Sequence, residues 1–490
     1  MDVIFWNGGI DWGLSRSIGP YKVAHWVRKH NYTAQVIDFI DKISEDVLYN
    51  ITKKFINPNT IVLGLSTTFL SLTLHTHSDG HKRNIAEHIL NVLKRIKLEN
   101  PNIKIVLGGY QSDTIQDYGV IDATIMSYDE ASEDIFIEYL DYLSKNSIPP
   151  QSYDYSNRPV YHKANNPKYN IEVDDFKFTK QDCILRGEPL PLDVSRGCIF
   201  KCSFCRYPHL GKKKFDYVRG MNYLKEEMLN NYHEFGTTSY LILDDTFNDT
   251  EIKMQLFHSM VKSLPFEITY TAYLRADLIH RYPNMTHYLK DSGLFGAFFG
   301  LESLHPVASK IVGKAWSGKH AKEYIPELYH SIWKGQVPIH TNFIVGLTGD
   351  TQENINDTAK WFIQNKLHSI NFECLGLYGP DQTTNRTIKS DLDKDPSKYG
   401  YTLFYADDNI SLPTWKNDAW TLDSAFLATT RARAAVRVYD KIRVWSIPIA
   451  MWYGVDKKFI LSKTTANNYS TFAKTTADKL NEYINLLMKI

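Results

Sequence analysis

Cys198, Cys202 and Cys205 fall within eight residues, in the stretch SRGCIFKCSFCRYP, directly after an apolar run. The chain has 490 residues and only five cysteines, the others being Cys183 and Cys374. An odd, sparse set does not read as a disulfide framework and fits a reducing compartment. Thiolates at this spacing in a loop can converge on one metal centre. Three of them leave one iron of a 4Fe–4S cluster open to an exogenous ligand. A structural zinc site needs a fourth protein ligand, which His209 would supply. The strand-then-loop context and the long β/α region that follows favour iron–sulfur over zinc.

The elements that must position this loop are legible as alternating apolar runs and helical stretches. In residues 1–145 the runs Val3–Trp6, Ala34–Ile40, Thr60–Leu65, Ile103–Leu107 and Ala123–Met126 predict five strands with helices between them. That is a doubly wound, Rossmann-like parallel sheet, with ligands expected at the carboxyl ends of its strands. Residues 146–188, with Pro149, Pro150, Pro159 and Pro167, read as a linker. Residues 189–390 resume the rhythm. Pro191–Val194, Ser239–Leu243, Glu267–Ala272, Gly296–Gly300, Ile339–Val345 and Ser369–Leu375 predict six β/α units and an open or partial barrel. Residues 391–490 read as a mostly helical segment covering the barrel mouth, with helices near Asn417–Lys441 and Tyr469–Met488.

The cysteine loop, with Phe204 before its last cysteine, resembles that of radical S-adenosylmethionine (SAM) enzymes. LILDDTF at 241–247, YLRADL at 273–278, FFGLESLHPVASKIVGK at 298–314 and FIVGLTGDT at 343–351 follow in that family's order. The resemblance covers about residues 189–390. It implies reductive cleavage of SAM to a 5′-deoxyadenosyl radical. It also implies SAM-binding roles. Asp244 or Asp245 would face the ammonium, Glu302 with the adjoining Ser303 the ribose, and Lys314 or Arg275 the carboxylate. Phe204, Val345 and Gly346 would border the adenine. Two motifs depart from the family pattern. The second strand ends in Asp-Asp rather than Gly-Gly-Glu, and the fifth-strand motif reads Gly-Leu-Thr-Gly-Asp, where Asp350 either replaces an acid or caps a helix.

An α/β domain ahead of such a core resembles the cobalamin-binding branch of the family. Ser66, Thr68, Gly108 and Gly109 would make room for the nucleotide tail of cobalamin, a second cofactor. The histidine loop of other cobalamin proteins is absent, so Trp12 or Arg16 would lie under the corrin. His75, His77 and His81 read as solvent-facing. The branch implies C-methylation of an unactivated carbon in a small molecule or peptide, with rearrangement or cyclisation as the alternative. Cys374 or Glu373, at the sixth strand's end, would handle a proton or hydrogen atom. A flavodoxin or ferredoxin would donate electrons.

Composition bounds the remaining classes. Lys+Arg 56 against Asp+Glu 55 gives a net charge of +1, which offers no support for nucleic-acid binding. No apolar run approaches the roughly 18–20 residues needed to cross a bilayer, and the first residues do not form a secretory signal. A cytoplasmic protein is the expectation.

Overall fold

The computed structural model describes residues 1–9, 13–70, 72–74, 83–109, 112, 115–116, 118–126, 131–155, 157–206, 215–314, 316–380, 389–405, 413–462 and 469–490. Two parallel sheets dominate it. The first contains β1 (Val3–Trp6), β2 (Ala34–Ile37), β3 (Val62–Ser66), β6 (Lys104–Gly108), β7 (Ala123–Ile125), β8 (Gln151–Tyr155) and β9 (Arg158–Lys163). A separate hairpin is formed by β4 (Leu72–Leu74) and β5 (Arg83–Ile85). The sheet order is β2-β1-β3-β6-β7-β9-β8. The first five strands are parallel, and VIFW and AQVI are buried along their whole length. Continuous apolar strands of this kind belong in a sheet covered on both faces. Helices Gly19–Lys29, Glu45–Phe55, Glu87–Glu99 and Ser132–Lys145 alternate with the strands, as the Rossmann-like reading requires.

The stretch 146–188 is not a plain linker. Residues 151–163 form the antiparallel hairpin β8–β9, and β9 joins β7 in parallel. Pro159 sits in this added pair, next to the sheet edge, where a missing N–H is tolerated.

The second sheet contains β10 (Leu190–Leu192), β11 (Ser239–Ile242), β12 (Thr269–Leu274), β13 (Leu294–Glu302), β14 (Ile339–Val345) and β15 (Ser369–Cys374). Its strands are all parallel and lie in sequence order. With right-handed crossovers, that order places every connecting helix on one face. The opposite face is left for chemistry, as in a partial barrel. Register identifies that face. Tyr273, Phe298, His340 and Ser369 are paired across four neighbouring strands, and Gly300, Asn342 and Asn371 form the next row. Phe343 instead meets Trp361 of helix Gln352–Gln364, so its parity marks the helix-covered side.

The last segment does more than cover a mouth. Residues 444–452 pack against early positions of the second sheet: Trp445 meets Phe298 and His340 at 5.6 and 4.8 Å between rings. They therefore support the helix-free face from below. Trp415 and Trp420 pack instead at the carboxyl end of β14, beside the short pair β16 (Thr402–Phe404) and β17 (Thr414–Lys416). Helix Leu422–Val436 lies against β15. Helix Tyr469–Leu487 returns to the first sheet, where the Tyr483 hydroxyl accepts from Asp38 N at 2.7 Å. Among the described residues, no helix is long and apolar enough to cross a membrane.

Candidate active site

The cysteine loop leaves β10 at the carboxyl edge of the second sheet. Its first turn is fixed by Asp244, which follows β11. One Asp244 oxygen accepts from Val194 N and Ser195 N at 3.0 and 2.9 Å, and the other accepts from Ser195 Oγ at 2.5 Å. Lys253 Nζ lies 2.7 Å from the same carboxylate, and both side chains are fully buried. Burial pushes the Asp244 carboxyl up from its ordinary range, with Lys253 opposing that rise. All of its acceptor positions are engaged, so Asp244 anchors the loop and is not the ammonium partner. Asp245 is exposed, and its charge, together with the larger effect of burial, raises the Cys198 thiol. It is the carboxylate of the pair that stands beside the cysteines.

Cys198 is buried, while Cys202 and Cys205 are half-buried. The loop's middle is pinned from two sides. Ser203 N donates to Val312 O and Ser203 Oγ to Ile311 O, at 3.2 and 3.0 Å, beyond β13. Arg206 forks onto Asp393 at 2.5 and 2.8 Å, tying the loop to the last segment. Three free thiols held in one loop are the protein ligand set of a site-differentiated cluster. His209, the zinc alternative, lies outside the described residues. Phe204 is partly buried against the main core.

The ends of β12 and β13 bring together Arg275, Asp277, Ser303 and Lys314 around a small cleft. Glu302 pairs with Lys314 at 3.0 Å and has φ +66°, an uncommon conformation for glutamate. A Cβ on Gly300 would stand 2.5 Å from Glu302 Oε1, so the glycine makes room for that carboxylate. Arg275 is also engaged. Its guanidinium forks onto Asp277 at 3.0 and 2.7 Å and points an N–H at Cys202 Sγ, 3.8 Å away. Ser303 Oγ donates to Asp350 at 2.8 Å, so Ser303 is a brace, and Asp350 belongs to that brace. Val345 is fully buried. At Gly346 a Cβ would meet Trp415 at 2.5 Å, so its side-chain space is filled by an indole rather than open to a ligand.

At the facing edge of the first sheet is a cavity of about 350 Å³. Ser66, Thr68, Gly108 and Gly109 line it, as the sequence suggested, and so do Ser17, Gly19 and Glu133. A Cβ on Gly19 would meet nothing within 4 Å, and one on Gly108 only Ile125 O at 3.8 Å. The glycines therefore hold the space open. Gly109 has φ +94°, and a Cβ there would fall 2.4 Å from Thr68 Oγ1. The far wall is Asp193, Ser195, Arg196 and Leu243 of the second sheet's edge. Arg196 bridges the two domains, reaching Glu133 at 2.9 Å and Asp193 at 3.0 Å. Sequence reasoning missed it; its place in SRGC, two residues before Cys198, is the signal that could have found it.

Arg16 does not reach this cavity. It is buried, paired with Glu188 at 2.6 Å, donating to Cys183 O at 3.0 Å and stacked against Tyr483 at 4.9 Å. It is a staple between three parts of the chain, not a residue lying under a corrin. Trp12, His75, His77 and His81 lie outside the described residues.

On the helix-free face of the second sheet, Glu373 meets Asn371 at 2.6 Å and Arg433 at 2.7 Å and is exposed. It shares the face of Phe298, Asn342 and Asn371. Cys374 has the opposite parity and packs against the core, and burial pushes its thiol up to about 11. A half-buried, protonated thiol on the helix side does not serve a substrate on the other face.

The fold and site define a class. Residues 192–362 match the family model of the Radical SAM superfamily. The chain thus carries a radical SAM domain behind a Rossmann-like domain. The whole architecture is that of the radical SAM methyltransferase TsrM from Kitasatospora setae, solved with cobalamin and a 4Fe–4S cluster. The TM-score is 0.64 at 11% identity, covering 98% of this chain and 99% of that one. OxsB, a cobalamin-dependent SAM radical enzyme, aligns with TM-score 0.58 and 13% identity over 99% of this chain and 72% of that one. By sequence the chain is similar to two Chlorobaculum tepidum proteins. They are bacteriochlorophyllide d C-12(1)-methyltransferase, 23% identical over 44% of this chain, and the C-8(2)-methyltransferase, 23% identical over 59%. The matches span 47% and 63% of those relatives.

Proposed function

We propose that this protein is a cobalamin-dependent radical SAM enzyme that methylates an unactivated carbon of a small molecule or peptide. The observation that carries the reading is the shared wall at Arg196. The glycine-lined cavity at one sheet edge ends on the residue that opens the three-cysteine loop at the other. The relatives named as methyltransferases support methyl transfer over rearrangement.

When bound, the cluster and SAM supply a 5′-deoxyadenosyl radical, and cobalamin supplies the methyl group. Cys198, Cys202 and Cys205 would hold three irons. Glu302 would accept from the ribose hydroxyls, and Asp245 would face the ammonium. Lys314 would shift from Glu302 toward the carboxylate, because Arg275 is already committed to Asp277. Gly19, Gly108 and Gly109 would admit the nucleotide tail of cobalamin, with Ser66 and Thr68 offering hydroxyls to it. The substrate would rest on Tyr273 and Phe298, whose rings stand 4.5 Å apart, with Asn342, Asn371 and Glu373 as polar partners. A small external protein such as flavodoxin or ferredoxin would deliver the electron.

The test is an anaerobic incubation of reconstituted protein with cobalamin, SAM and a strong reductant. 5′-Deoxyadenosine and S-adenosylhomocysteine are quantified by mass spectrometry, with Cys202→Ala as control. Both products, lost in the control, are expected. Deoxyadenosine alone would favour the non-methylating alternative. Neither product from cluster-loaded protein, with or without a substrate panel, would count against the assignment.

A further inference from the structure

We infer that Arg275 and Asp277 form a tuning pair that sets the reduction potential of the iron–sulfur cluster. The inference rests on the radical SAM reading above, and it gives Arg275 a role other than holding the SAM carboxylate.

Three contacts fix Arg275 against the cysteine loop. Its Nη1 lies 3.8 Å from Cys202 Sγ. Its guanidinium carbon sits 3.8 Å over the ring of Phe200, between Cys198 and Cys202. Its backbone is clamped by buried Asn248, which accepts from Arg275 N at 2.8 Å and donates to Arg275 O at 2.9 Å. Arg275 itself is 7% exposed. A side chain stacked, clamped and buried in this way has little freedom to swing toward another ligand. Its planar fork is spent on Asp277, which leaves Nη1 facing the sulfur.

The electrostatics follow from that placement. An N–H aimed at a cysteine sulfur withdraws electron density from it, and hydrogen bonds and charge around the sulfurs are among the terms that set cluster potentials. A cation beside the cluster favours its reduced, more negative state. Asp277 works against that by neutralising the guanidinium from its far side. The pair therefore holds the potential between two extremes. Removing either partner moves it in a known direction. Arg275→Gln removes the charge and leaves Asp277 uncompensated, so the potential falls. Asp277→Asn leaves the cation unopposed, so the potential rises. A purely structural role predicts no such opposition of sign.

The experiment is an anaerobic redox titration of the reconstituted protein, followed by electron paramagnetic resonance of the reduced cluster. Wild type, Arg275→Gln, Arg275→Lys and Asp277→Asn are compared, each with iron and sulfide content matched to wild type. Shifts of opposite sign for Arg275→Gln and Asp277→Asn are expected, each about tenfold in the reduction equilibrium, or ~59 mV for one electron. Arg275→Lys keeps the charge and should lie nearer wild type. SAM affinity is measured on the same samples by calorimetry. Unchanged potentials with a large loss of SAM affinity in Arg275→Gln would overturn the inference and return Arg275 to the SAM carboxylate. Shifts of the same sign in both variants would also overturn it. A wild type that forms no redox-active cluster would overturn the radical SAM reading itself, a result distinct from either.

Discussion

Replacing Lys253 with methionine should loosen the cysteine loop, although Lys253 lies 48 residues beyond Cys205. The lysine contributes one of four donors to buried Asp244; Val194 N, Ser195 N and Ser195 Oγ supply the others. Methionine keeps the length of the side chain and removes its charge. Breaking a buried ion pair from one side costs about 3–5 kcal/mol. The three remaining donors, and the ease with which this carboxyl takes up a proton, place the cost near the lower end, at about 3 kcal/mol. For a unit of about 150–250 residues that is a fall in Tm of about 6–12 °C. The assay pairs a thermal melt with iron content per chain after reconstitution and with hydrogen exchange across 194–206. A lower melt, less iron and faster exchange in that stretch are expected. The double variant Asp244→Asn, Lys253→Met should recover only part of the loss, because fully buried Asp249, 3.5 Å from Lys253 Nζ, still loses its cation. A single variant as stable, as iron-loaded and as slow to exchange as wild type would refute the argument that this pair holds the loop.

Three further outcomes follow. Gly108→Val sets its Cβ in open space, with only Ile125 O at 3.8 Å, so it should leave the melt within about 1–2 °C of wild type while cutting corrin retention, read from its absorbance, by about tenfold or more. Glu302→Gln keeps the shape and removes the charge, and should weaken SAM binding by about tenfold, or ~1.4 kcal/mol, in calorimetry. Burial pushes the Asp440 carboxyl up to about 7, against the hydrogen bond from Ile370 N. A raised carboxyl favours the folded state most below its unfolded value near 4, and that contribution is lost as pH rises through 7. Asp440→Asn stays neutral, so its Tm should gain on wild type steadily between pH 4 and 7.5; a constant difference across that range would sink the argument.

The cysteine loop and the strands were legible in the sequence because both are local signals. The spacing of three thiols and the runs of apolar residues need no knowledge of what packs where. Asp244 illustrates what was not legible. Two adjacent aspartates look equivalent in the chain, and only the return of β10 beside β11 decides that Asp244 faces Val194 and Lys253 while Asp245 faces outward. Arg16 failed for a similar reason. Its partners Glu188 and Tyr483 are far along the chain, so nothing near residue 16 shows that its charge is already satisfied. The hairpin of 151–155 and 158–163 was hidden by Pro159 and by the flanking Pro149, Pro150 and Pro167, which together read as linker. Gly346 was read as room for a ligand, yet the indole that fills the space comes from Trp415.

The return of helix Tyr469–Leu487 to the first sheet has a consequence for synthesis. Asp38 N finds its partner at Tyr483, 445 positions later, and Leu14 N finds Tyr453. A ribosome therefore releases the first domain with its central staple unfinished. Arg16 must wait for Glu188 and for the ring of Tyr483 before its charge is fully enclosed. The wall that Arg196 gives to the glycine-lined cavity likewise arrives after the glycines. On the proposed function the nascent first domain would be an incomplete receptor, and loading of cobalamin would belong after translation rather than during it.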